Sequence, residues 1–203
     1  MAEWLQVLAE YDKTMKLQEM DFATYGTIQP YLTEESAKRA AEVLEKAPRP
    51  STFCGCPVPD NLNLITLGEL FDIQDKAQQT DGVLAAVRVL FPKVSAAKMA
   101  REKVLSVVGL VRWIGREVER INTLFAKIQP RYTAEQISAG VKQLNFGAFG
   151  LLDWYAKRQG ISNQDDVRGV CWVRVYTCMK MDNERAEYER RLNDVIALKF
   201  ETK

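Results

Sequence analysis

An all-α protein of seven or eight helices in an irregular bundle is what this 203-residue sequence predicts. Three observations carry that expectation. Apolar residues recur at spacings of three and four along most of the chain, which is the period of an amphipathic helix. Helix-start residues stand ahead of these stretches at Thr33, Thr66, Ser95 and Thr133. The one β-branched and aromatic stretch, residues 170–176, is a lone strand candidate with no partner strand elsewhere.

Taken in order, Trp4, Leu5, Leu8 and Ala9, with Tyr11 and Met15 beyond, predict a first helix. Thr33 is placed to cap a helix over 34–47, and Glu34 and Glu35 suit its positive end. Pro48, Pro50, Pro57 and Pro59 then punctuate PRPSTFCGCPVPDN, which reads as an extended linker near 48–59. Thr66-Leu67-Gly68-Glu69 is a capping box opening a short helix with Leu67, Leu70, Phe71 and Ile73 apolar, ended by Thr80-Asp81-Gly82. A helix over 83–91 stops at Pro92.

Ser95 begins the longest candidate, 96–127, on which Val104, Val107, Leu110, Val111, Ile114, Val118, Ile121 and Phe125 share one broad face. Gly109 and Gly115 within it mark a bend or a close approach. Pro130 and a second capping box, Thr133-Ala134-Glu135-Gln136, restart the chain. Helices over 137–144, 147–159 and 182–199 follow. The stretch 170–176 is read as helix too, since Asn163, Asp165 and Asp166 make a helix start ahead of it. The domain reading is residues 1–59, 60–130 and 131–203.

The composition, 47% hydrophobic and 27% charged, is that of a globular chain. No apolar run is long enough to span a bilayer, and the first residues carry acids where a signal peptide carries positive charge. The expected location is therefore the cytoplasm, with no membrane partner. There is no histidine at all. That removes histidine general bases, Ser-His-Asp and Cys-His nucleophilic sites and most catalytic zinc sites. No glycine-rich phosphate loop or nucleophile elbow is present, so no enzyme and no cofactor are expected. A zinc site would need Cys54, Cys56, Cys171 and Cys178, but C-x-C with C-x6-C is not a usual ligand spacing, and reduced thiols are expected instead.

Charge is uneven. Residues 1–92 carry 8 Lys/Arg and 14 Asp/Glu, residues 93–131 carry 9 and 3, and residues 132–203 carry 11 and 10. Such polarity suits docking between the parts or onto an outside partner. On a continuous 96–127 helix, Lys98, Arg101, Arg112, Arg116, Arg120 and Lys127 fall within about 100° of one another, diluted by Glu102 and Glu119. Arg112, Arg116 and Arg120 are the candidate contacts. Aromatic residues do not interleave with them, so a protein or internal contact is expected ahead of nucleic acid.

Residues 151–182 superficially resemble a helix-turn-helix, with Gly160 in the turn. However, Asp166 and Gly169 stand where that pattern wants apolar residues, and Asp165 and Asp166 would face phosphates. The same region, with GLLDWYAKR at 150–158, Gly160-Ile161, Asp165-Asp166-Val167, WVRVY at 172–176 and MKMDNE at 179–184, is similar to phage and prophage proteins of the Bacteroides group found in tail-gene clusters. LNLITLGELFDIQD, the Asp-Gly break and a helix ending in Phe-Pro resemble tail assembly chaperones of long-tailed phages. The resemblance covers 60–200 loosely and 147–190 more closely.

The resemblance implies a chaperone in the cytoplasm of a bacterial host that coats the tape-measure protein and helps the tail-tube protein polymerise around it. Self-association is compatible with it. Trp154, Tyr155 and Trp172 are candidate anchors for a client in an apolar groove, because aromatics give large contact area at low entropic cost. The alternatives are a structural head–tail connector and a helix-turn-helix DNA-binding regulator.

Overall fold

The computed structural model describes residues 17–77, 82–128 and 132–201. The expected helix over 4–15, the break at Thr80-Asp81 and Pro130 lie outside them. Among the described residues the chain is mostly α: nine α-helices and one two-stranded hairpin. The helices are α1 (Phe22–Ile28), α2 (Glu34–Glu45), α3 (Leu67–Ala77), α4 (Gly82–Leu90), α5 (Ala96–Ala100), α6 (Val104–Ala126), α7 (Ala134–Ser138), α8 (Gly147–Gln159) and α9 (Trp172–Glu201). Short 3-10 turns occupy Gln29–Tyr31, Val141–Gln143 and Gln164–Gly169.

The expected caps are formed. The Thr33 hydroxyl accepts from Ser36 N and that of Ser95 from Lys98 N. The box at α3 is reciprocal, Glu69 N to Thr66 Oγ1 at 3.1 Å and Thr66 N to Glu69 Oε2 at 2.7 Å. Thr133 and Gln136 close the same box at α7. Each satisfies helix-end donors that have no partner inside the helix.

Two compact units arise, each from two stretches of chain: Met1–Asp60 with Lys76–Glu117, and Asn61–Asp75 with Val118–Lys203. In unit one, Leu17, Met20, Ala40 and Val104 form a buried cluster against which Phe22, Tyr25, Ile28, Leu32, Leu44 and Val108 pack. The stretch 48–59 is not an open linker. Thr52–Phe53 (β1) pairs antiparallel with Cys56–Pro57 (β2), joined by Cys54 and Gly55, both at positive φ (50° and 81°). Two left-handed residues are what a tight hairpin with the native strand twist requires. Phe53 is wholly buried, with its ring 5.4 Å from Phe91. Arg49 ties the base of the hairpin, donating to Pro59 O at 2.7 Å and Asp60 Oδ1 at 2.9 Å.

The expected 96–127 helix is broken at residues 101–103, and the cause is tertiary. Phe22 N donates to Glu102 O at 2.8 Å and Val104 N to Met20 O at 3.0 Å, with a bridge between Asp21 and Lys103. Those groups are committed to a neighbouring segment and cannot close helical turns. The Glu102 carboxylate is also drawn away, accepting from Cys54 N at 2.9 Å.

In unit two, Asn163 caps the turn Gln164–Gly169 rather than an α-helix, and the helix begins at Trp172 and runs on without a stop to Glu201. The expected helix over 137–144 is reduced to α7 and a 3-10 turn, separated by Gly140 in the left-handed region. No helix among the described residues is long and apolar enough to cross a membrane.

Candidate partner-binding site

Arg120, Trp154, Tyr155 and Trp172 belong to unit two, Arg112 and Arg116 to unit one. Trp172 is 1% exposed, a large side chain wholly enclosed within its unit. Leu67 N donates to Val170 O at 2.8 Å and Trp172 N to Ile65 O at 3.3 Å, so residues 65–67 pair with the start of α9. The indole Nε1 then donates to Leu62 O at 2.6 Å, and the Cys171 thiol to Asn63 O at 3.0 Å. Phe125 and Tyr176 pack against the indole at 6.0 and 6.2 Å and against each other at 5.5 Å. Arg120 closes the cluster: its Nη2 donates to Asn63 Oδ1 at 2.8 Å and its guanidinium lies 5.9 Å from the indole centroid.

Two of the three expected anchors are therefore internal. Tyr155 is buried with Leu152 and Ala156 on the inner face of α8, and Trp172 is buried in the aromatic cluster. Neither side chain has surface to offer a client in this conformation. Trp154 is half-buried, 6.1 Å from the Tyr155 ring.

The basic stripe is also rearranged. The break at 101–103 separates Lys98 and Arg101 from the cations of α6. Arg112 donates to Leu44 O at 3.3 Å, at the C-terminal end of α2 where backbone carbonyls concentrate negative charge. Arg120 is engaged as described. Of the three, Arg116 alone is exposed.

What unit two does expose is apolar surface that the sequence did not single out. Phe146 and Phe149 are 70% and 62% exposed, with Leu144 beside them in sequence also open to solvent. The local chain explains their display. Asn145 Oδ1 accepts from Gly147 N at 3.0 Å, Gly147 takes a positive φ of 55°, and α8 starts there with Phe146 in the cap position. A Cβ on Gly150 would stand 2.7 Å from the Phe146 Cβ, so glycine lets that side chain lie along the first turn. Phe149 points from the same turn, ahead of the buried Leu152 and Ala156. Tyr132 and Ile137 are exposed on the preceding segment.

The helix-turn-helix expectation meets a different geometry. Gly160 does take the left-handed turn (φ 68°), but a six-residue 3-10 turn carrying exposed Asp165 and Asp166 follows. The next full helix opens with the buried Trp172 and Val175. The first turn of that helix, which would have to enter a groove, is held in the interior by these two side chains. The four cysteines are free, Cys54 and Cys56 in unit one, Cys171 and Cys178 in unit two. Burial, and next the Glu102 carboxylate, push the Cys54 thiol up to about 11, the opposite of what a metal thiolate needs.

An open depression of about 360 Å³ is lined by Arg158, Asp182, Arg185, Ala186 and Glu189. Arg158 already spends its fork on Asp182, at 2.9 and 3.1 Å. Comparison with known protein families, curated proteins and solved structures finds no match to this chain.

Proposed function

We propose that this protein is a non-enzymatic assembly factor that holds a helical client, acting as a tail assembly chaperone for the tape-measure protein in the cytoplasm of a bacterial host. The observation that carries the binding part is the display of Leu144, Phe146 and Phe149 at the start of α8. Large aromatic side chains offer a partner much contact area with only two side-chain torsions each to fix. The tail-chaperone part rests on the resemblance of residues 147–190. The absence of histidine, which closes the commonest catalytic routes, fits the same reading.

The test is co-expression with the tape-measure protein encoded in the same gene cluster. The client stays soluble and co-purifies. Changing Phe146→Ser and Phe149→Ser together lowers capture by about tenfold or more, while the thermal melt is unchanged because both side chains are exposed. A well-folded wild-type protein that neither solubilises nor binds the tape measure overturns the reading. Stable incorporation into purified virions favours the head–tail connector instead, and submicromolar DNA affinity at physiological salt favours the regulator.

A further inference from the structure

From Arg191 to Phe200 every residue of α9 is exposed. This half of the helix nevertheless carries large apolar side chains. At 100° per residue, Met181, Tyr188, Leu192, Val195 and Ile196 lie within one sector of about 100°, and all five are at least 41% exposed. The spacing 181, 188, 192, 195 follows the apolar seam of a two-helix contact, with Arg185 in the position between the first two. In proteins a helix gains most of its stability from packing an apolar face.

The charges along this segment say what covers it. Residues 182–189 hold Asp182, Glu184, Glu187 and Glu189 against Arg185, a net −3; residues 190–199 hold Arg190, Arg191 and Lys199 against Asp194, a net +2. Glu184 in the first stretch and Arg191 in the second are thus complementary to each other across two such helices. In a self-contact they meet when the second helix lies alongside in the opposite direction. A parallel pair would lay acid on acid and base on base.

We infer that the exposed face of α9 is the site of self-association, occupied by α9 of a second copy running antiparallel. Glu184 and Arg191, two turns apart, border the same edge of the apolar stripe. With the two-fold axis passing between them, Glu184 of each copy faces Arg191 of the other, giving two equivalent ion pairs. Leu192 then lies opposite Met181 of the second copy, and Tyr188 stands beside the axis. At present Glu184 lies 3.7 Å from Lys180 of its own helix, an exposed pair that leaves its carboxylate accessible. An isologous contact of this kind closes on itself and stops at two chains.

Sedimentation of the full chain over about 1–100 µM reads the result, a range spanning ordinary protein–protein affinities. A reversible dimer is expected, at twice the 23.1 kDa of one chain. Leu192→Asp with Val195→Asp abolishes it without loss of helical circular dichroism from the rest of the fold. Glu184→Arg alone and Arg191→Glu alone each weaken self-association by about tenfold, since each sets like charges together twice. Mixed one to one, these two variants form a heterodimer at wild-type strength, because every facing pair is again opposite in sign. A wild-type chain that stays monomeric to the top of the range overturns the proposal. So do charge variants that dimerise as well as wild type, or whose mixture shows no recovery.

Discussion

The carbonyl oxygen of Pro48 lies 2.0 Å from the point where a Cβ on Gly109 would stand. Helix α6 therefore meets the chain leaving α2 at backbone distance, and only glycine allows it. Gly109→Ala is expected to lower stability by about 1–3 kcal/mol, as added volume in a closed contact does. Gly115, six residues on in the same helix, has nothing within 4 Å of its would-be Cβ. Gly115→Ala should raise stability by about 0.5–1 kcal/mol through helix propensity. Denaturant titrations of the two variants, moving in opposite directions, check the contact.

Trp172 joins α9 to residues 62–67 through one indole hydrogen bond and an aromatic cluster. Replacing Trp172→Phe removes the donor to Leu62 O and leaves unfilled volume, at a cost of about 1–3 kcal/mol. Trp172→Ala should cost about 3–5 kcal/mol. Thermal melts with near-ultraviolet circular dichroism report both. If Trp172→Ala melts as wild type does, the indole is not the anchor of this core.

Arg116 and Arg120 lie one helical turn apart on α6, and the structure gives them opposite roles. Arg120→Met loses the charge-assisted bond to Asn63 and the stacking on Trp172, and should cost about 1.5–3 kcal/mol. Arg116→Gln should stay within about 0.5 kcal/mol of wild type. Equal effects in urea titration would contradict the engagement of Arg120 with Asn63 and Trp172.

The Cys54 thiol, raised to about 11 by burial and by Glu102, contributes a pH dependence of known sign. The unfolded thiol ionises near 9, while the folded one holds its proton to about 11. The stabilisation is fully present below pH 9 and is lost as pH rises from there through 11. Urea midpoints of wild type and Cys54→Ala should converge or cross over that window. At pH 8, alkylation with iodoacetamide should modify the partly exposed Cys56 well before Cys54.

The start signals at Thr33, Thr66, Ser95 and Thr133 were legible because a cap is a local event. One side chain bonds a backbone N–H two or three residues on, and sequence spacing specifies the whole interaction. The hairpin at 52–57 was not legible from its prolines, which read as a linker. Its turn depends on Cys54 and Gly55 both taking positive φ, and its worth depends on Phe53 meeting Phe91, a residue nearly forty positions away. The candidate site divides in the same way. Trp154, Tyr155 and Trp172 carry the right chemistry for anchors, but type alone does not say which side of a helix the rest of the chain will cover.

By itself, then, the sequence determined the helical class, the caps and the amphipathic faces, all set by contacts within a turn or two. Tertiary structure decided where the 96–127 stretch breaks, since Met20 and Phe22 claim the backbone groups at 102–104. It also decided which apolar residues remain in water. Phe149 shares a face with Leu152 and Ala156 along α8, yet only the latter two are covered, because burial depends on chain brought from elsewhere and not on periodicity.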